Sequence, residues 1–264
     1  MGRILAITNQ KGGVGKTTTS VNLAASLVAT KRKVMLVDLD PQGNATMGSG
    51  IDKNNLALSC CDVLLGEASV ADVAMEIAPA GYTILPSNSD LTAAEVALME
   101  VDSRESSLQR AIQPIEDDYD FILIDCPPTL NMLTVNALVA AHGVIIPMQC
   151  EYYALEGLTA LIDSIEKIKI SLNPDLKIEG LLRTMFDPRN RLANEVSEQL
   201  IDHFGDKVYR TVVPRNVRLA EAPSHGMPAM FYDKNSRGAL AYLALAGELL
   251  RKETKEKAAA VVNI

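Results

Sequence analysis

The residues best suited to chemistry are concentrated in Asn9-Gln10-Lys11-Gly12-Gly13-Val14-Gly15-Lys16-Thr17-Thr18-Thr19. An apolar run, Ile4-Leu5-Ala6-Ile7, precedes this segment, and a stretch of helical composition, Ser20 to Ala29, follows it. Glycines let backbone N–H groups converge on an anion where a Cβ would obstruct them, and a helix N-terminus adds partial positive charge at the same spot. The segment from Lys11 to Thr18 therefore reads as a phosphate cradle made of Lys11, Gly12, Gly13, Val14, Gly15, Lys16, Thr17 and Thr18. Lys16 is placed to reach the β- and γ-phosphates of a nucleoside triphosphate, and the Thr17 hydroxyl to ligate Mg²⁺. The pattern G-x-x-x-x-G-K-[ST] is met except at its first position, where Gln10 stands, and a second lysine, Lys11, follows at once.

Two further sets of residues fit the same chemistry. Lys33-Val34-Met35-Leu36-Val37-Asp38 reads as a buried strand ending in an acid, and Leu39-Asp40-Pro41-Gln42-Gly43-Asn44 leaves it as a turn. Phe121-Ile122-Leu123-Ile124-Asp125 is a second such strand, stopped by Cys126-Pro127-Pro128. Open parallel sheets hold ligands at the carboxyl ends of their strands, which is where these acids fall. Asp125 is the expected Mg²⁺ acid, Asp40 the group that orients an attacking water, and Asp38 a support one layer behind them. Two lysines on a phosphate loop, an Asp-x-Asp turn and a strand-end aspartate together specify a Mg²⁺-dependent nucleotide hydrolase.

The rest of the chain supplies the scaffold. Short strands are expected at 82–86, 143–148, 177–185 and 207–213, with helices near 91–99, 106–115, 130–141, 155–172, 192–204 and 237–251; residues 45–80 mix loop and short helix. The sustained strand–helix alternation predicts an α/β fold: a single doubly wound, mostly parallel sheet with helices on both faces and right-handed crossovers. Residues 1–252 form the expected domain, and 253–264 a charged, Ala/Val-rich tail that frays.

Composition narrows the function classes. A net charge of −8 argues against a surface coated for nucleic acid, so any DNA contact must be a local patch. The absence of Trp and the presence of only four Phe argue against base stacking on single strands. No apolar stretch is long enough to span a bilayer, and the start Met1-Gly2-Arg3 leaves no room for a secretory signal, so the expected compartment is the cytoplasm. The cysteines, Cys60, Cys61, Cys126 and Cys150, have no metal-site spacing and are expected as reduced thiols.

With these motifs in hand, the chain resembles the ParA/Soj chromosome- and plasmid-partition ATPases, P-loop NTPases of the deviant Walker-A class that includes MinD and nitrogenase iron protein. Beside the loop and acids, Gln149-Cys150-Glu151-Tyr152-Tyr153-Ala154-Leu155-Glu156-Gly157 and Val213-Pro214-Arg215-Asn216-Val217-Arg218-Leu219 carry the resemblance. It implies an ATP-dependent homodimer that sandwiches two nucleotides, with Lys11 of each subunit reaching the phosphates held by the other. It also implies slow Mg²⁺-dependent ATP hydrolysis, adenine contacts from Pro214 and Asn216, and sequence-independent binding of double-stranded DNA through Arg189 and Arg218. A ParB-like centromere-binding partner and a nucleoid location complete the expectation. Relatives usually carry glycine within Lys31-Arg32-Lys33, and the loop Thr129-Leu130-Asn131-Met132 also departs from the commoner version. The alternative of a MinD-like membrane switch is disfavoured, because Lys252 to Lys257 is highly charged and Ala258 to Ile264 lacks large apolar residues at helical spacing. An iron–sulfur role like that of nitrogenase iron protein is disfavoured by the cysteine spacing.

Overall fold

The computed structural model describes residues 2–262. Eight strands, β1 (Arg3–Ile7), β2 (Val34–Asp38), β3 (Met75–Glu76), β4 (Thr83–Leu85), β5 (Phe121–Asp125), β6 (Gly143–Gln149), β7 (Lys177–Phe186) and β8 (Val208–Pro214), form one sheet in the order β3-β4-β2-β5-β1-β6-β7-β8. All neighbours are parallel except β3, an exposed two-residue edge strand that pairs antiparallel with β4. The helices of the first half are α1 (Lys16–Ala29), α2 (Asn44–Gly48), α3 (Cys60–Leu65), α4 (Val70–Val73), α5 (Leu91–Ala97) and α6 (Ser107–Ile112). Those of the second half are α7 (Met132–Ala140), α8 (Ala154–Ser171), α9 (Arg191–Phe204), α10 (Val217–Glu221), α11 (Ala229–Tyr232) and α12 (Arg237–Val262).

The central strands are apolar along their length because both faces are covered, as parallel sheets require. Successive side chains then enter opposite cores. Ile4 and Ala6 pack with Ile122, Ile124 and Val144 beneath α3, α6, α7 and α8. Leu5 and Ile7 pack with Leu36, Leu123 and Ile145 beneath α1 and α12. This two-sided burial is the doubly wound architecture expected from the sequence.

The C-terminus of α1 closes through Lys31. Arg32 N–H donates to Leu27 O (3.2 Å) and Lys31 N–H to Val28 O (2.8 Å), a Schellman closure with Lys31 at φ 65°. That left-handed position favours glycine. Arg32 and the Lys33 N–H both reach Asp120, at 3.4 and 2.8 Å, and tie the turn to the start of β5.

At the far edge of the sheet, the β7–β8 register shifts between Leu181 and Arg183, so part of β8 leaves the ladder. Side chains replace the missing backbone partners. Arg183 donates to the Tyr209 and Arg210 carbonyls (2.8 and 3.3 Å), and Glu248 on α12 accepts from the Arg210 and Thr211 N–H groups (2.8 and 2.9 Å). The last helix runs on to Val262 through most of the segment set apart as a tail, whose Ala, Lys and Glu residues are good helix formers. Residues 263 and 264 of that tail lie outside the described residues.

Candidate nucleotide site

Register aligns the residues expected to do the chemistry. Ile7, Asp125 and Asp38 stand on one line across β1, β5 and β2, so the phosphate loop and both strand-end acids emerge at the same edge. The order of strands reverses here, because the chain passes from β1 to β2 on one side and β6 lies on the other, the position where open α/β sheets form their ligand crevice.

The loop itself is held open by backbone geometry. Gly13 and Gly15 adopt φ 72° and 90°, and no protein atom would meet a Cβ at Gly12 or Gly13 within 4 Å. Gly15 caps α1 without any side-chain acceptor, which leaves the first N–H groups of the helix to face an anion. Two distant residues fix the loop's shape: Asn9 donates to Pro147 O at 2.8 Å, and the Thr184 hydroxyl to Val14 O at 2.7 Å. Thr17 and Thr18 are half-buried at the start of α1.

The two lysines are held differently. Lys16 is buried and donates to the Lys11 carbonyl at 3.1 Å. Burial lowers its pKa, while Asp125, Cys126 and Asp40 oppose that shift. The Lys11 ammonium instead faces out and pairs at 2.5 Å with Glu151, in the turn between β6 and α8. Beside Glu151, Tyr152 and Tyr153 are 73% and 72% exposed and meet edge to face at 5.0 Å.

The three aspartates have distinct surroundings. Asp38 is fully buried and engaged: its carboxylate accepts from Asp40 N–H (3.2 Å), Thr46 N–H (2.8 Å) and the Thr46 hydroxyl (2.7 Å). It shapes the turn that carries Asp40. Asp40 accepts from Gln42 N–H at 3.0 Å, while the Ser87 hydroxyl holds its carbonyl at 2.8 Å. Asp125 accepts the Ser20 hydroxyl at 2.7 Å on Oδ1, but Oδ2 is buried with no hydrogen-bond partner at normal distance. Burial first, then the charges of Asp38 and Asp40, push the Asp125 carboxyl up, with the Ser20 and Thr17 hydroxyls opposing. Burial pushes Asp38 up as well, against its bonds to Thr46. Such a site is short of positive charge.

An orphaned carboxylate oxygen near the Thr17 hydroxyl fits a hard divalent cation. Mg²⁺ characteristically takes one or two protein oxygens and completes its octahedron with phosphate and water. Among the described residues no group of three His, Cys, Asp or Glu is arranged as an all-protein metal cage. The four cysteines are free and buried, and burial raises the Cys61 and Cys150 thiols to about 11.

Pro214 ends β8 opposite Phe186, two residues past Thr184 on β7, so it belongs to the same strand-end layer as the loop. Asn216 follows and caps α10 through Arg218 N–H at 3.1 Å. Arg189 and Arg218 are exposed, and each is tied within its own chain. Arg189 forms a two-pronged pair with Asp187 (3.0 and 2.8 Å), which lowers the Asp187 pKa to about 2. Arg218 pairs with Glu221 at 2.8 Å and Asp233 at 3.4 Å. Ser20, Ser87, Glu151 and Thr184 are ordinary polar residues whose partners lie 47 or more positions away, and only Glu151 stands in a motif that carries the resemblance; Thr46, eight positions from Asp38, has no distinguishing local signal either.

Comparison with known proteins agrees with this geometry. A family model described as an AAA domain matches residues 2–178. The sporulation initiation inhibitor protein Soj of Bacillus subtilis is 52% identical over 249 residues, covering 94% of this chain and 98% of Soj. The chromosome partitioning protein ParA of Caulobacter vibrioides is 48% identical over 260 residues, covering 98% and 97%. A Mycobacterium smegmatis structure described as cobyrinic acid a,c-diamide synthase with bound ADP and magnesium superposes with a TM-score of 0.85 at 38% identity, over 96% of each chain. Sequence and fold agree along nearly the whole length, and the chain belongs to the family of Soj and ParA chromosome-partitioning ATPases.

Proposed function

We propose that this chain is an ATP-switched DNA-partition protein whose hydrolytic site is completed by a second copy. The observation that carries this reading is the opposite placement of the two loop lysines. Lys16 is folded into its own loop, whereas Lys11 projects outward to Glu151 beside an exposed tyrosine pair. A cation that leaves its own phosphate cradle is positioned to serve a neighbouring one, where it would neutralise charge developing in phosphoryl transfer.

In this account the Gly12–Thr18 backbone and Lys16 hold the ATP phosphates. Thr17 and the orphaned Asp125 oxygen would hold Mg²⁺, which would neutralise phosphate charge there. Asp40, fixed by Asp38, Gln42 and Ser87, orients the attacking water, and Pro214 and Asn216 bind the base. ATP thereby controls dimerisation. Arg189 and Arg218 contact duplex phosphates without reading sequence, exchanging their acidic partners for DNA, so affinity falls with salt. A ParB-like centromere-binding protein stimulates hydrolysis and releases the dimer from the nucleoid. No helix among the described residues is long and apolar enough to cross a membrane.

Steady-state ATP turnover with and without duplex DNA and a cognate ParB-like protein tests this reading. Turnover is expected to be slow alone, highest with both additions, and lost in Lys11→Ala and Asp40→Ala. High turnover indifferent to both additions contradicts it.

A further inference from the structure

The N-terminal ends of β7 and β8, with α12 across them, enclose a cavity of about 810 Å³ that the nucleotide chemistry does not use. Its lining runs along β7 from Lys177 to Arg183, and no residue of the phosphate loop contributes to it. We propose that this cavity is a second anion site, built for a compact ligand that carries two or more phosphate groups.

Among the described residues that line the cavity, seven are Lys or Arg and three are acids, in a chain whose net charge is −8. Two of those acids are already engaged: Glu179 pairs with Arg3, and Glu248 accepts two backbone N–H groups and the Thr211 hydroxyl. By contrast Lys207, Arg210, Arg251 and Lys255 form no ion pair among the described residues. A concavity rimmed by like charges that its own acids do not neutralise is relieved when an anion enters.

The cations come from separate walls, β7, the approach to β8, and α12, and all of them line the same cavity. Duplex phosphates instead run in rows and suit a ridge or open face. The floor is fixed: the Tyr209 ring packs where a Cβ on Gly180 would come within 2.4 Å of it. Lys252 lies 4.3 Å from the centre of that ring and donates to Asp206 O at 3.1 Å. Arg183, buried in the wall, keeps an Nε with no hydrogen-bond partner. The volume is within the range of small-molecule sites, roughly 300–1,000 Å³.

Inorganic tripolyphosphate is the probe, measured by titration calorimetry on the full chain in Mg²⁺-free buffer at physiological ionic strength. Wild type should bind about two equivalents, one at the nucleotide loop and one here. Lys16→Ala should keep one of them, which separates this inference from the nucleotide reading. Arg251→Glu with Lys255→Glu, both exposed on α12, should weaken that remaining event at least about tenfold while leaving ATP binding in wild-type background unchanged. Loss of all tripolyphosphate binding in Lys16→Ala overturns the proposal, and so does indifference to the double charge reversal. Binding of a short DNA duplex through Arg251 and Lys255, without tripolyphosphate binding, also overturns it and makes the cavity part of a nucleic-acid face.

Discussion

Replacing Glu151 by glutamine releases Lys11 while nearly preserving side-chain volume. The Lys11–Glu151 pair is short, 2.5 Å, but its side chains are 47% and 51% exposed, so solvent screens it to about 0.5 kcal/mol. A dimer in which both Lys11 side chains cross over must break two such pairs. That cost is about 1 kcal/mol, which weakens association about fivefold. Glu151→Gln should therefore tighten the ATP-bound dimer by about that factor at low salt. The gain should shrink toward nothing near 1 M salt, where the Debye length is about 3 Å. Sedimentation velocity with ATP in an Asp40→Ala background, which prevents turnover, reads the dimer constant directly. Thermal unfolding of the nucleotide-free chain should move by no more than about 0.5 kcal/mol, as expected for one exposed pair. A looser dimer in Glu151→Gln would mean that Glu151 serves the interface itself, and an equal gain at high salt would mean that the pair is not what restrains Lys11.

Three further substitutions probe the scaffold. Lys31→Gly should stabilise the fold by about 1 kcal/mol, raising the melting temperature by roughly 2–4 °C, because Lys31 occupies the left-handed Schellman position; Lys31→Ala should give no gain. Asp125→Asn keeps the volume of a buried carboxyl whose pKa burial already raises and whose second oxygen has no partner, so the nucleotide-free protein should melt no lower than wild type while the Mg²⁺-dependent increase in ATP affinity disappears, read by thermal shift with and without Mg²⁺. Burial would raise the Glu248 pKa, but the Arg210 and Thr211 N–H groups and the Thr211 hydroxyl hold it below its usual value. Its contribution is thus fully present above the unfolded carboxyl pKa of about 4.3 and is lost as pH falls through the lower folded value. Denaturant unfolding from pH 6 to pH 3 should show a shallower acid loss in Glu248→Gln, with a lower plateau at neutral pH.

Much of this architecture is legible in the sequence because parallel strands buried on both faces read as uninterrupted apolar runs. Val34–Asp38 and Phe121–Asp125 each end in the acid that the register then aligns with Ile7. The loop was legible for a related reason: its glycines and lysines are demanded by phosphate, whatever surrounds them. Long-range partners were not. Nothing local marks Ser20 as the residue that binds Asp125, 105 positions away, or Glu151 as the counter-ion of Lys11, 140 positions away. Edge strand β3 escaped because two exposed residues carry no periodic signal. The β8 distortion escaped because its partners, Arg183 and Glu248, lie on other elements. At Lys31 a lysine holds a left-handed backbone position that favours glycine, a conformational cost that nothing local in the sequence announces.

The central claim is that Lys11 completes the site of the other subunit, and mixing two inactive variants tests it most directly. Lys11→Ala and Asp40→Ala should each be inactive alone. In a mixed dimer, the Lys11→Ala subunit keeps its own Asp40 and receives Lys11 from its partner, so one of two sites is whole. Random mixing at equal amounts should then restore about one quarter of wild-type turnover per protomer, half of the dimers being mixed with half of their sites complete. If Lys11 served its own subunit's nucleotide, neither site of the mixed dimer would be whole, and the mixture would stay as inactive as its components.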